Sequence, residues 1–365
     1  MRFVIDYSTF YFNEGNVTGI PRTVESLSTA IMQVSDLQVE YVVVDECNES
    51  FKYFSPNQKK VIDKYTPKSD DIFLCLGAPW KHSCYLHAIS DIKDTIHTFI
   101  FLVYDLIPYL FPHFYEEPEF GEYYFRFISK ISSLANKVLC ISKNTYDDLM
   151  RLVNDESIKS KTSVIQLGSD FRKAEEKTNK SLSYLEISRE YILCVGTIEF
   201  RKNQNFLLNV YRRILKDRKD FPSLILAGKV GFGNNQIEHQ VAFDPVLKGK
   251  VKILNCLTDG DLDLLYKHCL FTVYPSLYEG WGLPICESLM HGKNVVCSNT
   301  SSMSEIGNGL CHYFDPIDYL DLKNLIIKLA TNKKYRVQKE KEIIDKYSSH
   351  TWNKCAEDLI KVVLS

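Results

Sequence analysis

Two carboxylates eight residues apart, Glu279 and Glu287, stand in the stretch Tyr-Pro-Ser-Leu-Tyr-Glu-Gly-Trp-Gly-Leu-Pro-Ile-Cys-Glu-Ser-Leu at 274–289. A carboxylate can accept hydrogen bonds from both hydroxyls of a diol, so two of them can grip two hydroxyl-bearing parts of one ligand. Between them, Gly280 and Gly282 permit a backbone that a side-chain-bearing residue resists. Pro284 suits the first turn of a helix, where its missing N–H costs little. The apolar run at 270–274 reads as a buried strand, and Leu283, Cys286, Leu289 and Met290 follow at helical spacing. The element is therefore strand, glycine turn, helix start, and it offers backbone N–H groups to an anion. A phosphorylated, polyhydroxylated ligand fits this pattern, which points to a nucleotide sugar.

A second cluster follows another apolar run, at Gly196-Thr197-Ile198-Glu199-Phe200-Arg201-Lys202-Asn203. A strand ending in Gly and followed by adjacent cations can clamp a diphosphate, because ligands of open α/β sheets gather at the carboxyl ends of strands. The stretch 228–233 begins with Gly228 and Lys229 after a further strand. Its glycine spacing is not the dinucleotide fingerprint, so it reads as a turn near the nucleotide, with Gly228 allowing close approach and Lys229 unassigned.

The segment 274–289 resembles the Glu-x7-Glu signature of the retaining glycosyltransferases of family 4, and the resemblance extends over nearly the whole chain. It implies an α/β GT-B fold: two Rossmann-like, doubly wound parallel-sheet domains facing a cleft that closes on the donor. It also implies transfer of a hexose with retention and without a metal or other cofactor, from a GDP-, UDP- or dTDP-linked sugar. The implied acceptor is a growing, lipid-linked bacterial glycan of the O-antigen or capsule type. In such enzymes the second cluster carries Gly-Arg and, five residues on, Lys. Here Thr197 stands beside Gly196, Lys202 matches the lysine, and the arginine role passes to Arg201. The implied roles put Glu287 on the ribose diol and Glu279 on the hydroxyls of the transferred sugar. Arg201 and Lys202, with the N–H groups around Gly282 and Leu283, would face the leaving diphosphate.

In the N-terminal half, Gly19-Ile20-Pro21-Arg22 resembles the family's glycine loop, with Gly19 letting N–H groups approach a phosphate. Tyr104-Asp105-Leu106-Ile107-Pro108 looks like His-Asp-Leu-Ile-Pro with Tyr104 in place of the histidine, which leaves Asp105 as the polar candidate for that side of the site. Ser142 and Thr145 resemble a helix entrance, for which capping alone is also an explanation. Asp261-Leu262-Asp263 spells a string that holds a divalent metal in another transferase fold. Here it reads as an acidic first helical turn favoured by the macrodipole.

These motifs sit on short apolar runs at 3–6, 39–44, 72–76, 98–104, 137–141 and 163–166, then at 191–195, 223–227, 251–254, 270–274 and 294–298. Several are unbroken, as parallel strands covered on both faces are. The polar stretch 169–190 reads as a linker, which divides the 365 residues into an acceptor-side domain at 1–175 and a donor-binding domain at 176–350. Helical spacing at Trp352, Ala356, Leu359, Ile360 and Val363 marks a last helix at 351–365. The resemblance implies that it crosses back to the first domain, while the residues alone allow packing on either.

A formal net charge of −2 calls for neither nucleic acid nor an acidic membrane surface as partner. The longest apolar run, 99–111, is broken by Asp105 and Pro108 and is too short to span a bilayer, and the N-terminus shows no signal-peptide pattern. Eleven scattered cysteines form no Cys-x-x-Cys pair, so a reducing compartment is expected. The expected location is the cytoplasm, with or without peripheral association at the cytoplasmic face of the inner membrane. Two other readings stay open: a silent relative that binds a partner or glycan, and a nucleotide-sugar epimerase or phosphorylase on the same scaffold.

Overall fold

The computed structural model describes residues 1–13, 19–170, 182–187, 190–231 and 235–364. Most of the stretch expected as a linker, together with Phe232 and Gly233, lies outside these residues. The chain forms two compact units, one of Met1–Gly168 with His350–Ser365 and one of Ser169–Ser349.

The first unit is built on strands β1 (Arg2–Asp6), β2 (Gln38–Asp45), β3 (Ser50–Ser55), β4 (Lys60–Lys64), β5 (Asp71–Cys75), β6 (Thr98–Val103), β7 (Lys137–Cys140) and β8 (Thr162–Val164). Their order in the sheet is β4-β3-β2-β1-β5-β6-β7-β8. The pairs are parallel from β2 through to β8, with Phe3 opposite Ile72 and Leu74 opposite Ile100. The sheet is not parallel throughout: β3 and β4 add an antiparallel hairpin at one edge. That hairpin escapes a search for apolar runs because β3 buries only Phe51 and Phe54 and every residue of β4 is partly or fully exposed.

In the second unit, β9 (Tyr191–Val195), β10 (Ser223–Ala227), β11 (Val251–Leu254), β12 (Thr272–Tyr274), β13 (Val295–Ser298) and β14 (His312–Phe314) form a parallel sheet in the order β11-β10-β9-β12-β13-β14. Alternate residues feed opposite faces. Ile192, Cys194, Leu224 and Leu226 join one core, and Tyr191, Leu193, Val195 and Ile225 join the other. This two-sided burial is why the strands read as unbroken apolar runs. Cys75, Cys140, Cys194, Cys269 and Cys297 are buried free thiols.

Both sheets reverse direction of winding once. The chain runs from β9 outward to β11 and then returns to place β12 on the other side of β9, and β1 and β5 are related in the same way. In open α/β sheets, ligands bind in the crevice beyond the carboxyl ends of the two strands at such a reversal. The last helix, Trp352–Leu364, packs on helix Ile20–Val34 within the first unit. Gly168 lets it approach, since a Cβ there would lie 2.5 Å from main-chain atoms of Trp352.

Candidate active site

Arg201 follows β9 and Glu279 follows β12, so the reversal point of the second sheet brings them together. After Gly196 the chain makes one 3-10 turn, Phe200–Lys202, and Asn203 takes a left-handed conformation (φ 57°) that launches helix Gln204–Asp217. The Leu277 N–H donates to the Arg201 carbonyl at 2.8 Å, which joins the two loops. Arg201 then donates to Glu279, to the Tyr278 carbonyl at 3.0 Å and to Glu199 at 2.6 Å. Lys202 Nζ donates to the other oxygen of Glu279 at 2.6 Å. Burial pushes the Glu279 carboxyl up, yet Arg201 and Lys202 outweigh it and hold the group below its ordinary value.

The Glu279 main chain is fixed as tightly as its side chain. Its N–H donates to Ser301 Oγ and its carbonyl accepts from Ser302 Oγ, each at 2.9 Å. Ser301 is itself left-handed (φ 50°). Motif reasoning missed these serines; the polar run Asn299-Thr300-Ser301-Ser302 directly after β13 is the signal that was there to find.

A glycine pair lets the loops after β9 and β10 meet. A Cβ on Gly228 would fall 2.2 Å from the Gly196 carbonyl oxygen, so the two loops touch backbone to backbone. Hydrogen bonds from Gly196 to Ala227, from Ile198 to Lys229 and from Gly231 to Ile198, at 2.9, 2.7 and 2.8 Å, zip them together. Gly196 takes a φ of 141°, which favours glycine, and the Lys202 side chain passes it at ordinary contact distance. Thr197 is exposed, and its carbonyl accepts from the buried Gln204 at 2.9 Å.

Gly280 and Gly282 are buried, and Gly282 is the N-cap of helix Leu283–Met290. The Ile285 and Cys286 N–H groups turn back to the Gly282 carbonyl at 2.9 and 3.2 Å, while the Leu283 N–H at the helix start has no intrahelical acceptor. Glu287 lies one turn further in, only 2 % exposed, and accepts from Tyr266 Oη at 2.8 Å.

Asp261 closes a capping box with Thr258 at the start of helix Asp259–His268. Asp263 accepts from Lys267 at 2.5 Å and pairs with His291 at 3.0 Å.

The remaining candidates lie in the first unit. Gly19 caps helix Ile20–Val34 with φ 62° and open space where a Cβ would be. With Pro21, Thr9, Asn13, Trp80 and Lys81, this helix start borders a cavity of about 270 Å³ beyond the ends of β1 and β5. Asp105 accepts from the Ile107 N–H at 3.0 Å. Tyr104 is buried and donates to the Leu76 carbonyl at 2.6 Å, so its hydroxyl is tied into the fold. Ser142 accepts from the Thr145 N–H at 3.0 Å as an N-cap.

Comparison with solved structures identifies the architecture. The Anabaena protein HepE, solved in complex with UDP and glucose, superposes over 100 % of both chains with a TM-score of 0.72 and 13 % identity. The fold is GT-B. Residues 176–346, within the second unit, match the family described as glycosyl transferases group 1. The chain is also 29 % identical over 229 residues to O-antigen chain mannosyltransferase B of Escherichia coli, covering 62 % of this chain and 60 % of that one. It is 24 % identical over 308 residues to the serotype-specific mannosyltransferase WbdA of Escherichia coli, covering 82 % of this chain and 35 % of that one. The matched stretch thus spans less than two thirds of each of these relatives.

Proposed function

We propose that the chain is a retaining glycosyltransferase that moves a hexose from a nucleotide sugar to a growing, lipid-linked bacterial glycan of the O-antigen or capsule type. The observation that carries this reading is the cluster of Arg201, Lys202 and Glu279 at the reversal point of the second sheet. Two cations beside a helix start suit a leaving diphosphate, whose growing negative charge they stabilise as the sugar departs. Glu279, fixed through both its side chain and its main chain, accepts hydroxyls of the transferred sugar in this reading and holds it for attack. Glu287 takes the ribose diol. The diphosphate leaves, and the acceptor attacks, on the same face of the sugar. Arg201 and Lys202 do the neutralising that a divalent ion does in other transferases, so transfer needs no metal. The first-unit cavity beside Trp80 and Lys81 is the acceptor side, and Asp105 is that unit's polar contributor.

Mannose is the first sugar to try, because the relatives above are named mannosyltransferases. The purified chain, given a panel of GDP-, UDP- and dTDP-sugars, should release nucleoside diphosphate from one of them, with EDTA leaving the rate unchanged. Lys202→Ala should lower turnover by about 10²-fold or more, as loss of a donor to transition-state charge does. Release of epimerised donor or sugar phosphate in place of nucleoside diphosphate would assign a different reaction. Activity abolished by EDTA and restored by manganese would refute metal independence.

A further inference from the structure

The polar residues around Glu287 form a bracket that motif reasoning does not assign. Tyr266, fully buried on helix Asp259–His268, donates its hydroxyl to Glu287 Oε2 at 2.8 Å. Its ring lies against His291, with centroids 5.1 Å apart and planes inclined by 23°. His291 Nδ1 sits 2.7 Å from the Glu287 carbonyl oxygen and Nε2 sits 3.0 Å from Asp263. The Tyr274 hydroxyl approaches that of Tyr266 at 3.5 Å and bonds Ser288 Oγ at 2.9 Å. One helix therefore holds Glu287 at its carboxylate through Tyr266 and at its main chain through Asp263 and His291.

We propose that Tyr266 is the positioning residue for Glu287, fixing the carboxylate rotamer that recognises the ribose diol of the donor. The proposal rests on the reading of Glu287 as the ribose ligand. A glutamate has three side-chain torsions, and a free carboxylate would lose rotamer freedom each time a nucleotide arrived. A phenol locked by burial and stacking removes that cost beforehand, and a carboxylate can accept from several donors at once. The same geometry gives the Asp-x-Asp string its work: Asp261 caps the helix that carries Tyr266, and Asp263 steadies His291.

The test compares binding of GDP and UDP with their 2′-deoxy counterparts in wild type, Tyr266→Phe and Glu287→Ala, alongside donor kinetics and thermal unfolding. Tyr266→Phe keeps the ring and deletes only the hydroxyl. It should weaken the preferred ribonucleotide about 5- to 20-fold, weaken the 2′-deoxy analogue less because only its 3′-hydroxyl is left for the carboxylate, and raise KM with little change in kcat. Equal loss for both nucleotides, or a lowered Tm accounting for the loss, would reduce Tyr266 to a packing residue and overturn the proposal. Undiminished ribose discrimination would overturn it as well. The underlying reading fails separately, and takes the proposal with it, if wild type does not discriminate ribose from deoxyribose and Glu287→Ala changes neither affinity.

Discussion

Arg201 and Lys202 face Glu199 and Glu279, so the formal charges of the cluster sum to zero. An incoming diphosphate meets cations that are already neutralised. Glu279→Gln removes one negative charge and leaves the cluster at +1. It should bind nucleoside diphosphate several-fold more tightly while turnover falls sharply, because the sugar loses its anchor. Calorimetric titration decides this, and weaker binding by the variant would mean that Glu279 does not compete for the cations. The same carboxylate sets a pH signature. A glutamate held below its ordinary value of 4.5 supplies stability that is complete above that value and is lost as pH falls through the lower, folded one. Urea midpoints of wild type should therefore drop more steeply than those of Glu279→Gln in that acid window, and parallel curves would remove Glu279 as the cause. Glu279, Lys202 and Arg201 could be singled out from residue type and spacing. Their mutual ion pairs could not, because nothing in the sequence fixes β9 beside β12.

The two glycine loops after β9 and β10 behave as one element. Residue type suggested close approach at Gly228 but not its partner, because the contact joins main-chain atoms of Gly196 that leave no trace in side-chain pattern. Gly228→Ala should splay the loops and shift Lys202, costing about 1–3 kcal/mol, as overpacking does. Thermal unfolding and nucleotide affinity should fall together, and an unchanged Tm would show that the loops part freely. The parallel strands were legible where both faces are buried, as in β6 and β9. The hairpin β3–β4 and the three-residue β14 were not, since half-exposed or very short strands carry no apolar run. Tyr266 was hidden for the opposite reason: at helical spacing, a buried tyrosine looks like any core residue until its hydroxyl finds a partner.

The first unit is assembled from two stretches of chain and the second from one. Helical spacing marks 351–365 as amphipathic, but only the contacts with Ile20–Val34 tell which unit it completes. Trp352, Cys355, Ala356 and Leu359 are buried there, and burying a large apolar side chain is worth about 1.5–3 kcal/mol. A chain stopped at Ser349 should therefore lose much of the first unit's stability while still binding nucleoside diphosphate. Calorimetry of the truncated chain checks this, and unfolding indistinguishable from that of the full chain would contradict it. The threading also bears on biosynthesis. Domains made in sequence ordinarily fold from the N-terminal end as they leave the ribosome. Here the later unit is complete once residue 349 has emerged, whereas the earlier one must wait, with the face of Ile20–Val34 uncovered, for the last helix to be made. Of the two units, the one translated first is the one completed second.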